Sequence, residues 1–124
     1  MPLGEPAKRI AIVSKPSDFL SNMVKFLGDA GYEVLWFSSS QEADAAFNVD
    51  VFIFDYALEE NDPDTDDGAW LMIPVKVHHP GARFIGMGDG GVEVREAFEA
   101  SGADSFWPKA AGGLSVLLDL IQAL

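Results

Sequence analysis

Residues 50–55 read DVFIFD, four large apolar side chains in a row bounded by an acid at each end. A strand with one wet face alternates apolar and polar residues. A run that is apolar at every position suits a strand covered on both faces, as in a parallel sheet. Asp50–Phe54 is therefore read as a central strand, with Asp55 standing just past its carboxyl end.

The rest of the chain repeats that logic outward. Arg9–Val13 (RIAIV), Glu33–Phe37 (EVLWF), Ala82–Met87 (ARFIGM) and Asp104–Trp107 are read as four further strands. Between the first two, Pro16 and Ser17 open a helix with Phe19, Leu20, Met23, Val24, Leu27 and Ala30 at helical spacing, closed by Gly31. Ser39 and Glu42 form a capping-box pattern for a short helix that turns Ala43, Ala46 and Phe47 inward. A helix from about Ala69 to His78 contains Pro74, which should kink or shorten it. Val92–Ser101, with Gly102 at its end, and Leu114–Leu124 are the last two helices. Five strands alternating with five helices imply an α/β fold, a doubly wound parallel sheet with helices on both faces. Residues 1–7 read as a flexible leader and 8–124 as one domain.

Composition narrows the function. With no cysteine, disulfides, thiolate metal sites and thiol nucleophiles are excluded. The net charge of −12 repels phosphate backbones and anionic lipid, so neither nucleic acid nor a membrane is an expected partner. No apolar run approaches a membrane span or a signal peptide, and a cytoplasmic protein is expected.

In sheets of this kind the working groups gather outside the carboxyl ends of the strands. Here those residues are Ser14 and Lys15, Asp55, Gly88 and Asp89, and Lys109. RIAIV running into a helix, the phrase GYEV, VFIFD ending in an aspartate, HPGARFIGM and then EAFEASGADSFWPK with a lysine near its end make the chain, by their order and spacing, resemble a receiver domain of a two-component response regulator from about Lys8 to Leu124. The resemblance implies a flavodoxin-like sheet of order 2-1-3-4-5; alternation alone leaves the order open. It also implies that Asp55 is the phosphoacceptor, that Lys109 is the lysine that binds phosphoryl oxygens, and that Phe106 is the switch aromatic.

Other positions depart from the family pattern. Ser14 and Lys15 replace the acidic pair that holds magnesium, and Gly88 followed by Asp89 replaces the hydroxyl residue and its small neighbour. Pro108 precedes Lys109 in reversed order, and the loop after Asp55 is some five residues longer than usual. Magnesium requires hard oxygen ligands, generally carboxylates with waters, so its binding here is expected to be weak or absent. Without it phosphoryl transfer should be slow. Lys15 is a candidate to supply the missing positive charge by pairing with Asp55.

Competing motifs are weaker. The run from Glu59 to Asp67 holds six carboxylates, but after Asp62, Asp64 and Asp66 the glycine comes one residue late for a calcium loop and no acid stands twelve positions on. It is read as a solvated loop beside Asp55. GMGDGG lacks the lysine of a nucleotide-binding loop and follows the fourth strand. His78 and His79 read as solvated residues at a helix end. Phe106 and Trp107 alternate to opposite faces, one toward the core and one available for a partner or a homodimer contact.

The reading is an atypical, non-enzymatic receiver domain in phosphorelay-type signalling. It contacts a histidine kinase or another signalling protein and uses no cofactor. Two alternatives stay open: a working phosphoacceptor, or a small flavodoxin-like binder of phosphate or a cofactor.

Overall fold

A computed structural model describes residues 8–56, 68–88, 91–109 and 113–124. The leader 1–7, the acidic run 59–67 and Asp89 lie outside the described residues. The elements are β1 (Arg9–Val13), α1 (Asp18–Asp29), β2 (Glu33–Phe37), α2 (Ser40–Asp44), β3 (Val51–Asp55), α3 (Gly68–His78), β4 (Arg83–Gly88), α4 (Val92–Ala100), β5 (Ser105–Pro108) and α5 (Leu114–Gln122). The strands form one parallel sheet in the order β2-β1-β3-β4-β5, as the resemblance implied.

The central strand is buried at all five positions, Val51 through Asp55. Its alternate residues feed two cores. Val51 and Ile53 join Ile10, Ile12, Met23, Leu27, Trp107 and Ile121 beneath α1 and α5. Phe52 and Phe54 join Val13, Met72, Val75, Phe84 and Phe98 beneath α3 and α4. Phe52 and Phe84 stack across β3 and β4 at 5.0 Å, and Gly86 leaves room for the Phe98 ring, which would lie 2.2 Å from any Cβ there. The continuous apolar run thus serves both sides of the sheet.

Local signals place the helix ends. Ser17 Oγ accepts from the Leu20 amide at 3.0 Å, Ser39 Oγ accepts from the Glu42 amide at 3.2 Å, and Gly31 adopts φ 101° after α1. Gly28 lies inside α1 with open space around it. Gly28→Ala is accordingly expected to stabilise the fold by about 0.5–1 kcal/mol, seen as a higher urea midpoint; a lower midpoint would contradict the open packing described.

Several expectations need correction. Phe47 does not turn inward: α2 ends at Asp44, the chain leaves helical phase, Asn48 takes φ 56°, and Phe47 is exposed. Pro74 does not shorten α3, which runs 11 residues through it. β4, expected over Ala82–Met87, runs instead from Arg83 to Gly88. His78 and His79 are not merely solvated. The His78 ring meets the Asp44 carboxylate at 2.8 Å, and His79 Nε2 lies 2.9 Å from the Asp44 carbonyl with its ring against Phe52.

Candidate functional site at the carboxyl edge

Asp55 is the last residue of β3, and its neighbours across the sheet are set by register. Asp55 pairs with Met87 of β4, and the Tyr56 amide donates to the Met87 carbonyl at 2.9 Å. Ser14 follows β1, and its amide donates to the Phe37 carbonyl of β2 at 3.0 Å. The Lys109 amide donates to the Gly88 carbonyl at 3.2 Å, which carries the β4–β5 pairing one residue past the strand. Three strand ends therefore bring Ser14, Asp55 and Lys109 together.

The carboxylate is almost closed off, with Asp55 only 6% and Ser14 4% exposed. Ser14 Oγ donates to Asp55 Oδ2 at 2.9 Å, and Lys109 Nζ donates to the same oxygen at 3.0 Å. Burying an ionised carboxylate is costly unless it is paired and hydrogen-bonded, and here both conditions hold. Lys109 also sits over the Phe19 ring, 5.6 Å from its centroid, and that ring stacks on Trp107 at 5.8 Å. Trp36 Nε1 donates to the Ser14 carbonyl at 2.8 Å and so fixes the backbone that presents the hydroxyl. Lys15, next along, is half-buried and engaged.

Gly68 closes the site from below. Its amide donates to the Tyr56 carbonyl at 2.8 Å, and a Cβ added to it would stand 1.9 Å from the Asp55 carbonyl oxygen. The chain that leaves after Tyr56 thus returns in direct backbone contact with Asp55.

Phe106 and Trp107 point to opposite sides of β5. Trp107 is wholly buried in the α1–α5 core, while Phe106 packs on Phe98 at 5.9 Å with the Arg95 guanidinium 5.5 Å from its ring. Phe106, Arg95, Val92, Gly91 and Pro108 line a shallow depression of about 220 Å³. Gly88 has no side chain with which to link Asp55 to Phe106.

Of the residues singled out from sequence, Asp55, Ser14 and Lys109 form one bonded group, and Gly88 adjoins it through the Lys109 amide. Asp89 lies outside the described residues. Sequence reasoning missed Ser14 as a direct donor to Asp55, and it missed Trp36, Phe19 and Gly68. Among the described residues no group of three histidines, cysteines or acids could hold a metal ion, and no helix is long and apolar enough to cross a membrane.

No family profile and no curated protein matches the chain. Solved structures do match. A CheY-like response regulator receiver domain from Methanospirillum hungatei superposes with TM-score 0.80 at 24% identity, covering 94% of this chain and 92% of its own. A two-component response regulator from Clostridium difficile gives TM-score 0.80 at 18% identity over 94% and 93%. A Burkholderia pseudomallei response regulator, solved with a phosphorylated aspartic acid, a calcium ion and citrate, gives 0.76 at 20% over 94% and 71%. The fold is that of the response-regulator receiver domain, a five-stranded flavodoxin-like sheet.

Proposed function

We propose that this chain is a receiver-like signalling module acting through protein–protein contacts, with Asp55 held by its own neighbours instead of cycling through phosphorylation. The observation that carries this reading is the pair of bonds on Asp55 Oδ2, from Ser14 at 2.9 Å and Lys109 at 3.0 Å. A hydroxyl and an ammonium thus both bond to one oxygen of the nearly closed carboxylate.

Magnesium does not fit this donor set. It demands near-octahedral hard oxygen ligation, and among the described residues the edge offers the Asp55 carboxylate, bonded on Oδ2, with Lys15 where the resemblance puts an acid. Transfer that depends on charge neutralisation by a metal is correspondingly slow. Gly88 offers no hydroxyl for phosphoryl oxygens, so partner binding does not wait on a modification. The partners are proteins, a histidine kinase or another signalling component. A net charge of −12 disfavours nucleic acid and anionic membranes and suits a cytoplasmic setting.

The second reading, a working phosphoacceptor, draws on the same Lys109 contact, since the resemblance gives that lysine to phosphoryl binding. Intact-mass analysis after incubation with magnesium and a small acyl phosphate separates the two, with Asp55→Asn alongside. The expected result is no added phosphoryl group on the folded protein. One added group that is absent in Asp55→Asn would establish the second reading.

A further inference from the structure

Between α1 and the end of β2 lies a groove of about 420 Å³ that the proposed function does not use. That volume is ordinary for a small-molecule site. Its apolar lining is Leu20 and Val24 of α1 with Trp36 of β2, and its polar lining is Ser17, Ser21 and Lys25. The spacing explains the mixture. Residues 17, 20, 21, 24 and 25 follow one another at i+3 and i+4 along a single face of the helix and its cap.

We propose that this groove is a binding site for a small aromatic carboxylate. Charge selects the anion. The chain carries a net −12, yet no carboxylate lines the groove, because the acids of α1, Asp18 and Asp29, stand at the two ends of the helix. Lys25 is exposed and, among the described residues, has neither an ion-pair nor a hydrogen-bond partner. Its ammonium is open to a ligand. Ser17 adds a second donor: its Oγ accepts from the Leu20 amide at 3.0 Å, and the hydroxyl proton remains to be given. An ammonium and a hydroxyl together suit one carboxylate.

Trp36 selects the ring. The indole is 44% exposed but not loose, since its Nε1 donates to the Ser14 carbonyl at 2.8 Å. A flat apolar wall already held in place costs little ordering when an aromatic ligand stacks on it. The same bond ties the groove to Asp55. Trp36 holds the Ser14 backbone, and Ser14 Oγ donates to Asp55 Oδ2 at 2.9 Å. A ligand seated on the indole therefore touches the first member of a short chain of hydrogen bonds that ends on the carboxylate. The inference is independent of whether Asp55 accepts a phosphoryl group.

Naphthalene-2-carboxylate is a suitable probe, titrated into the full chain and followed through the indole N–H resonance of Trp36, which is assigned by its loss in Trp36→Phe. Titration to about 10 mM covers the Kd on the order of 1 mM expected of one small ring system, and the shift should saturate. Lys25→Gln, at an exposed position, should weaken binding by about three- to fivefold. Lys8→Gln removes the same charge from an exposed position outside the groove and should leave the affinity unchanged. The neutral naphthalene-2-carboxamide should bind more weakly than the acid and should not distinguish Lys25→Gln from the native chain. The proposal is overturned by a Trp36 resonance that shows no saturable shift, by an affinity for the acid that Lys25→Gln leaves intact or that Lys8→Gln lowers as much, or by an amide that binds as tightly as the acid.

Discussion

Replacing Lys109 by methionine is expected to destabilise the protein by about 2–4 kcal/mol, because it strips the ammonium from a nearly closed carboxylate. The Lys109 side chain is 18% and the Asp55 side chain 8% exposed, so the pair sits at the rim of the interior, and the expected loss stays below that for a fully buried pair. Methionine keeps the apolar stem, so the packing over Phe19 survives and the charge is what changes. The Ser14 bond at Oδ2 stays, but a hydroxyl brings no charge in place of the lost ammonium. Asp55→Asn should then relieve much of the loss in the double variant, because a neutral amide still accepts from Ser14 and needs no ammonium. Urea unfolding of the four proteins should give a coupling of about 2 kcal/mol between the two positions. A Lys109→Met variant within about 0.5 kcal/mol of the native protein would mean that the pair does not hold the site together.

That expectation rests on contacts which the sequence only partly discloses. The fold was legible because each strand carries a local signature: VFIF at 51–54 is apolar at every position, and that pattern has one good home, between two covered faces. Ser17, Ser39 and Gly31 marked helix ends by chemistry confined to a few neighbouring residues. Phe47 was misread for the complementary reason. Helical spacing continues past Asp44 in the sequence, while the helix is capped at Ala45 and the chain beyond it turns through Asn48 in a left-handed backbone, which asparagine tolerates better than most residues. The pairing of His78 and His79 with Asp44 spans more than thirty residues and becomes visible only when α2 and α3 pack together.

The site divides the same way. Which residues stand at the carboxyl edge follows from where the strands stop, so Ser14, Asp55, Gly88 and Lys109 could be named in advance. Which of them bonds to which is a matter of tenths of an ångström. Ser14 read from sequence as a lost acid, yet in the structure it is a donor to the acid that remains. Trp36 and Phe19 gave no signal beyond ordinary apolar periodicity, although one anchors the Ser14 carbonyl and the other lies beneath Lys109. Gly68 ended an acidic stretch and so resembled loop punctuation, whereas its role depends on backbone that is thirteen positions earlier in the chain.

Gly68→Ala therefore makes the most demanding test of the site, with an expected loss of about 3 kcal/mol or more. The added Cβ would meet three backbone atoms, the Asp55 carbonyl oxygen at 1.9 Å, the Asp55 carbonyl carbon at 2.9 Å and the Tyr56 Cα at 3.1 Å. A flexible side chain could swing away from such an approach, but the end of a central strand cannot. Asp55 is fixed on one side by β4 through Met87 and on the other by the Ser14 bond, so the strain falls on α3. Moving α3 outward breaks the 2.8 Å bond from the Gly68 amide to the Tyr56 carbonyl and opens the packing of Ala69 and Met72 below it. Gly81→Ala, where no atom lies within 4 Å of the added carbon, controls for the general effect of the substitution and should stay within about 0.5 kcal/mol of the native protein. If urea unfolding finds Gly68→Ala as mild as Gly81→Ala, the return of the chain onto Asp55 is not as tight as described. A large loss at Gly68 alone means that the geometry of Asp55 is set as much by the start of α3 as by the strands that flank it.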